Sequence, residues 1–112
     1  MAAPDDSLFD LRLQQLTGAL TDLVNLLRDN GEEYWTRWAE RVLTELKNYD
    51  AGAFDQLLGA YGGMGSFNDL VLGTWSNQET ADRDREINNQ LDALRTQCYS
   101  LASDLRRDIR QP

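Results

Sequence analysis

The residues best suited to binding a ligand through backbone groups lie in a glycine-rich segment over residues 61–73. Gly62, Gly63 and Gly65 fall within four positions, which excludes a regular helix there. Glycine-rich loops hold phosphates when their amides converge at a helix N-terminus. This segment lacks the Lys-Ser/Thr ending of a phosphate-binding P-loop and follows no clear strand. A tight turn between helices is therefore the favoured interpretation, with a partner-binding loop as the alternative.

Directly after these glycines, Ser66 and Asp69 have the spacing of a capping box. That spacing predicts a short helical turn that begins at Ser66. Residues 70–72 read Leu-Val-Leu, and this apolar run is equally compatible with a helix or a short extended piece.

Carboxylates are the other groups that could carry chemistry, since helical hydrolases hold magnesium with paired acids. Asp82 and Glu86 are i, i+4 neighbours and so share one helix face. Arg83 and Arg85 interleave with them, which is typical of a solvated surface with ion pairs. We therefore expect no metal site and no cofactor.

The chain contains no histidine and a single cysteine, Cys98. A Ser-His or Cys-His nucleophile pair is thus impossible, as is an internal disulfide. Cys98 lies on an apolar helical stripe, so we expect a packed thiol and not a nucleophile. These features disfavour an enzyme.

The formal net charge is −8, and residues 1–60 carry eleven acids against five bases. Such a surface repels nucleic acid and anionic lipid and favours a basic partner, although solubility alone also explains it. Trp75 lies in a polar loop, where it either contacts a partner or folds back over the core. The candidate partner contacts are Glu32, Glu33, Glu40, Asp50 and Trp75.

Apolar spacing predicts four helices, over residues 7–30, 32–48, 53–60 and 79–109. In the first, six apolar residues spaced 4-3-4-3-4 share one stripe, and Asn30-Gly31 predicts a left-handed C-terminal cap. The same pattern places Tyr49 on the apolar face of the second helix. The last helix carries the stripe Ile87, Leu91, Leu94, Cys98, Leu101, Leu105 and Ile109.

Two long, one medium and one short helix predict an all-α, compact antiparallel bundle of four to five helices with a glycine-rich loop between helices. We expect one domain over residues 1–112, with residues 1–6 and 110–112 frayed. The short third helix and the glycine loop are expected to close one end. Heptad spacing also suits a seam between two chains, so a homodimer is the structural alternative. The N-terminus lacks a basic region and an apolar run, and no stretch is long enough to span a membrane, so we expect a cytoplasmic protein.

Residues 62–70, Gly-Gly-Met-Gly-Ser-Phe-Asn-Asp-Leu, resemble a segment of a group of small bacterial proteins, most of unassigned function. Those proteins carry Gly-Gly-Met-Gly-Ser-x-Asn-Asp between helices and a later Leu-Arg-x-x-x-Tyr-x-Leu-Ala helix, which is similar to residues 94–102 here. The resemblance implies that the segment sets the fold. In that role Gly65 makes the turn, Ser66 and Asp69 cap it, and Phe67 and Leu70 pack.

In size and character this group is similar to bacterial immunity proteins, which neutralise toxins. That resemblance implies a small acidic inhibitor that binds a cognate protein, such as a basic toxin domain. The alternatives are a self-associating structural or regulatory module and a carboxylate-based, metal-dependent enzyme.

Overall fold

The structure is a computed structural model, and it describes residues 4–62, 65–73 and 78–110. In these residues the chain forms four α-helices and one 3₁₀ turn, which confirms the predicted all-α bundle. The helices are α1 (Pro4–Asp29), α2 (Glu33–Lys47), α3 (Gly52–Gly59) and α4 (Gln78–Arg110), and the 3₁₀ turn covers Phe67–Asp69. α1 begins three residues before the predicted start, because Pro4 suits a first helical turn. Residues 4–6 and 110, which we expected to be frayed, are helical.

The two long helices, α1 and α4, pack antiparallel along the molecule, as the heptads predict. Arg12 near the start of α1 forms an ion pair of 3.1 Å with Asp108 near the end of α4. The middle of the α1 stripe is completely buried, because it faces both α2 and α4. Its fully buried members are Leu16, Leu20, Leu23 and Leu27.

A tight corner reverses the chain from α1 into α2. The amide of Gly31 donates to the carbonyl of Arg28 (3.1 Å), and the amide of Glu32 donates to that of Leu27 (3.0 Å). These two bonds form a Schellman cap, which needs a left-handed residue after the helix. Gly31 fills that position with a φ of 75°, so the predicted cap is confirmed.

The corner from α2 into α3 uses the same cap, but a tyrosine takes the left-handed position. Tyr49 has a φ of 58°, and its amide donates to the carbonyl of Leu46 (3.1 Å). The amide of Asp50 completes the cap by donating to Glu45 (2.9 Å). The side chain of Tyr49 is 85% exposed, so its predicted place on the apolar face of α2 is wrong. The reason is that the helix ends at Lys47 and the reversal turns Tyr49 outward.

Beside α1, α2 and α4, the fourth side of the bundle consists of the short helix α3 followed by irregular chain. α3 runs antiparallel to α4, because Asp55 of α3 pairs with Arg106 and Arg110 near the end of α4. After two helical turns the chain continues along α4 as the non-helical segment that contains residues 65–73. We expected this segment, together with α3, to close one end of the bundle. Instead, the segment lies beside α2 and α4. Residues 70–72 are neither helix nor paired strand.

We predict that Tyr49→Gly stabilises the protein by about 1 kcal/mol. Glycine adopts the left-handed conformation without the clash that an L side chain meets between its Cβ and a carbonyl oxygen. The exposed ring gives up little packing in return. Chemical denaturation measures the free energy of unfolding, with Gly31→Ala as the converse control that should destabilise. A Tyr49→Gly protein that is less stable than the wild type would show that the ring contributes to the fold.

Candidate functional site

A buried arginine of α4 holds the irregular segment in place. The guanidinium of Arg95 donates to the carbonyls of Phe67 (2.6 Å) and Leu70 (3.0 Å), and it pairs with Asp92. Its Cζ also lies 5.7 Å from the centre of the Phe67 ring. Leu70 lies outside any helix, and the Phe67 carbonyl accepts one further bond within the described residues, the 3₁₀ bond from the amide of Leu70 (3.3 Å). Arg95 therefore supplies donors that a third long helix would otherwise provide.

Asn88 lies on α4 about two helical turns before Arg95, and it binds the end of the same segment. Its side-chain oxygen accepts from the amide of Leu72 (2.8 Å), and its nitrogen donates to the carbonyl of Leu72 (2.8 Å). Below it, the fully buried Asp84 lies against Gly73, which has a φ of 92°. A Cβ on Gly73 would come within 2.4 Å of the Asp84 carboxylate, so both the backbone conformation and the space require glycine.

We call residues 65–73 the strapped segment, because Arg95 and Asn88 bind its backbone. The glycines in this segment determine its shape. Gly65 has a φ of 76°, and its amide donates to the carboxylate of Asp69 (2.7 Å). In a capping box the carboxylate of Asp69 would accept from the amide of Ser66, but here it accepts from the amide one residue earlier. The hydroxyl of Ser66 makes no hydrogen bond among the described residues, so the expected serine cap is absent there. Gly62 is exposed, and Gly63 lies outside the described residues.

An aromatic cluster surrounds the first residue of the 3₁₀ turn. The Phe67 ring is completely buried, with centroid distances of 5.0 Å to Trp35, 4.8 Å to Trp38 and 5.6 Å to Tyr61. The hydroxyl of Tyr61 donates to the carbonyl of Arg95 (2.8 Å). Backbone bonds and aromatic packing therefore fix the same short segment from both sides.

The buried residues of α4 and the half-buried Asn88 share one stripe, with spacing 4-3-4-3-4-3. This stripe is Asp84, Asn88, Leu91, Arg95, Cys98, Ala102 and Leu105. The apolar stripe predicted for this helix overlaps with it but leaves out its three polar members, Asp84, Asn88 and Arg95. The signal that could have revealed the stripe is a charged residue, Arg95, in register with Leu91 and Cys98.

Three of the predicted partner contacts meet in one cleft at the corner between α1 and α2. Glu32, Glu33 and Glu40 line it, and its volume is about 380 Å³. Two of these acids are already neutralised, because Glu40 pairs with Arg28 and Glu33 lies 3.4 Å from Arg37. The cleft therefore offers much less negative charge than its composition suggests.

The other two predicted contacts are not part of this cleft. Asp50 lies at the far end of α2, where one carboxylate oxygen accepts from the amide of Gly52 (2.9 Å). Trp75 lies outside the described residues. The five predicted contacts therefore do not form one surface.

A second groove, between α1 and α4, carries acids that sequence reasoning did not single out. Asp22 and Asp29 line it, and within the described part of the chain neither forms an ion pair. Asn25 and Gln90 add neutral polar groups, and the groove has a volume of about 460 Å³. The remaining lining is apolar: Leu26, Ala93 and Leu94. Asp22, Asn25 and Asp29 share one helix face, which only the packing of α4 reveals as a groove wall.

Two buried titratable groups lie where α4 meets its neighbours. Burial raises the pKa of the Cys98 thiol to about 12, and the nearby charge of Asp22 adds to the rise. Burial likewise raises the pKa of Tyr61 above its usual value. Cys98 is completely buried, as its place on the helix predicts, and stays protonated at neutral pH.

Residues 4–62, 65–73 and 78–110 contain no group of three or more cysteine, aspartate or glutamate side chains placed to hold a metal ion. Within the same ranges, the helices lack the length and hydropathy needed to cross a membrane.

Comparison with known protein families finds a match over the middle of the chain. Residues 28–81 match the family model described as "Domain of unknown function (DUF6966)". That range covers α2, α3 and the strapped segment, and it leaves out most of α1 and α4. No curated protein matches the chain, and no solved structure matches it.

We predict that Arg95→Met destabilises the protein by about 3 kcal/mol. The substitution keeps much of the apolar stem but removes the donor to the Leu70 carbonyl and leaves the Phe67 carbonyl only its 3₁₀ bond from Leu70, at roughly 1–3 kcal/mol for each lost bond. Arg107→Met is the matched control, because Arg107 is mostly exposed and pairs only with Asp104 on its own helix. The control should change the free energy of unfolding by less than about 1 kcal/mol. Equal losses in the two variants, measured by urea denaturation, would contradict the role given to Arg95.

We predict that stability falls as pH rises above the pKa of an unfolded cysteine, about 8.5. There the unfolded thiol loses its proton, while the folded Cys98 keeps its own up to a pH of about 12. The stabilisation is complete below the unfolded pKa and is lost as pH rises towards the folded one. The loss approaches roughly 1.4 kcal/mol per pH unit.

The measurement is urea denaturation between pH of about 7.5 and 9, which stays about one pH unit below the pKa of unfolded tyrosine, about 10. Cys98→Ala is the control. It should be less stable at every pH, because it leaves a cavity, but its stability should depend less on pH. The same pH dependence in both proteins would contradict the assignment to Cys98.

Proposed function

We propose that this protein is an acidic, protein-binding inhibitor of the immunity type, which neutralises a basic partner such as a toxin domain by direct binding. The observation that carries the proposal is the groove between α1 and α4, where Asp22 and Asp29 flank an apolar floor. The proposed contact surface therefore differs from the set of acids on α2 that the sequence first suggested.

The distribution of ion pairs supports an acidic face towards a partner. Within the part of the chain that the structure describes, eight of the eleven basic side chains form ion pairs with acids of the same molecule. Most of the positive charge is therefore neutralised locally, and the net charge of −8 is carried by acids such as Asp22 and Asp29. A basic surface meets little repulsion from cations at this groove.

The shape of the groove suits a basic amphipathic helix. Leu26 and Leu94 are half-buried and present an apolar floor, while Asp22 and Asp29 stand along the α1 side. An inserted helix would place its apolar stripe on that floor and its lysines or arginines against the acids. Asn25 and Gln90 supply hydrogen-bonding groups at the rim.

The two parts of the groove contribute in different ways. Exposed ion pairs are each worth only about 0.2–1 kcal/mol, so Asp22 and Asp29 do not hold the complex by themselves. Their charge accelerates the encounter with a basic protein and discriminates against acidic ones. Apolar side chains that reach the floor supply most of the affinity.

The test begins with capture of the tagged full-length protein from its native cells and identification of stoichiometric partners by mass spectrometry. We expect a basic protein whose activity the purified chain inhibits. Asp22→Lys/Asp29→Lys should slow association by roughly tenfold or more at low salt and reduce its salt dependence. Surface plasmon resonance at low and physiological salt measures both effects.

Two further variants with the same change in charge make the test specific. Asp10→Lys/Asp82→Lys changes exposed acids away from the groove, and Glu32→Lys/Glu33→Lys changes the corner cleft. An equal decrease in association rate for all three double variants would assign the effect to net charge alone. A decrease confined to Glu32→Lys/Glu33→Lys would move the site to the corner cleft. Recovery of the chain as a homodimer without a partner, seen by sedimentation, would instead support the self-associating alternative.

A further inference from the structure

A second surface lies at the end of the bundle where α1 begins and α4 ends, and it is independent of the groove proposed above. An apolar depression of about 170 Å³ opens there. It is lined by Phe9, Leu13, Leu46, Tyr49, Asp50, Ala51, Phe54 and Ile109. Ile109 is 48% exposed, so part of this apolar lining faces solvent.

The tyrosine at this depression is unfavourable for the fold. Tyr49 occupies the left-handed position of the α2 cap, whereas the same cap on α1 uses Gly31. Its ring is 85% exposed and recovers little packing energy. Backbone strain that no internal contact explains points to a function, because residues held in rare conformations concentrate at binding sites. The left-handed backbone at Tyr49 places its aromatic ring beside the apolar depression.

The dimensions of this end argue against a second copy of the chain. The two shorter dimensions of the molecule, between Cα atoms, are 23 and 21 Å, which give one end a backbone cross-section of roughly 500 Å². A standard stable interface buries about 800 Å² per partner. By contrast, an apolar cavity of about 150 Å³ holds one benzene molecule. The depression therefore fits a single aromatic or large aliphatic side chain.

The charges at the rim indicate what flanks that side chain. Asp50 lines the depression, and its bond to the amide of Gly52 leaves its negative charge in place. The nearby arginines are engaged elsewhere, since Arg106 and Arg110 both pair with Asp55. A neighbouring lysine or arginine of the partner would thus meet an acid whose charge no local arginine neutralises.

We propose that this end of the bundle docks a short protein segment in which one large apolar side chain is flanked by basic residues. The apolar side chain enters the depression against Tyr49, Leu46 and Phe54. A basic neighbour contacts Asp50. Tyr49 is the central contact, and its strained backbone is kept for binding and not for stability.

The test uses the full-length chain, labelled with ¹⁵N, and three acetylated and amidated tripeptides. Arg-Phe-Arg should give saturable chemical-shift changes confined to Tyr49, Asp50, Phe54 and Ile109. Arg-Ala-Arg lacks the apolar side chain and Glu-Phe-Glu reverses the charge, so each should bind roughly tenfold more weakly or not at all.

Tyr49→Gly separates binding from folding. It should raise the denaturation midpoint and yet lose binding of Arg-Phe-Arg, which a purely structural tyrosine would not do. Tyr34→Ala is the control, since it removes a tyrosine that is 71% exposed and lies at the other end of α2. That variant should bind the peptide as the wild type does.

Three outcomes would overturn the proposal. These are equal binding of the three peptides, shift changes spread over other surfaces, and full binding by Tyr49→Gly. Concentration-dependent dimerisation that Tyr49→Gly abolishes would assign the surface to a second copy and would also overturn it. Dimerisation would also count against the inhibitor proposed above. Loss of peptide selectivity or of the Tyr49→Gly effect would not, because the groove between α1 and α4 is tested separately by Asp22→Lys/Asp29→Lys.

Discussion

The need to satisfy the backbone of the segment after α3 governs the rest of this structure. A bundle of this length has room for a long third helix, but α3 ends at Gly59 and the glycines after Tyr61 disfavour its continuation. The carbonyls of Phe67 and Leu70 then take donors from another part of the chain, because poorly paired buried carbonyls are costly. Arg95 supplies these donors and Asn88 pairs with Leu72 in the same way, so α4 carries polar side chains at these two positions of its packed stripe.

The helical architecture was predictable from the sequence because helix periodicity and caps are local signals. The stripe from Leu16 to Leu27 and the cap at Gly31 both depend on residues within a few positions of each other. The antiparallel packing of α1 and α4 then follows from the burial of two apolar stripes. Tyr49 was misplaced because a left-handed tyrosine breaks the preference for glycine on which cap prediction relies.

The candidate sites were much less predictable, because they depend on contacts across the bundle. Periodicity gives the face of a helix but not which charges that face will meet. Glu33 and Glu40 look available in the sequence, yet Arg37 and Arg28 neutralise them in the fold. Asp22 attracts no notice in the sequence, although the packing of α4 makes it part of a groove wall. A charged residue within an apolar stripe, as at Arg95, is the one such signal that the sequence does contain.

The pairing of the first and last helices also affects how the chain matures during synthesis. The apolar stripe of α1 is synthesised before its partner on α4, which begins about 50 residues further along the chain and follows at roughly 5–20 residues per second. During that interval α1 can pack only on α2, and its remaining apolar surface is open to wrong associations in a crowded cell. The acidic side chains along α1 repel other copies of the same nascent helix, so the charge of this helix also protects the unfinished chain.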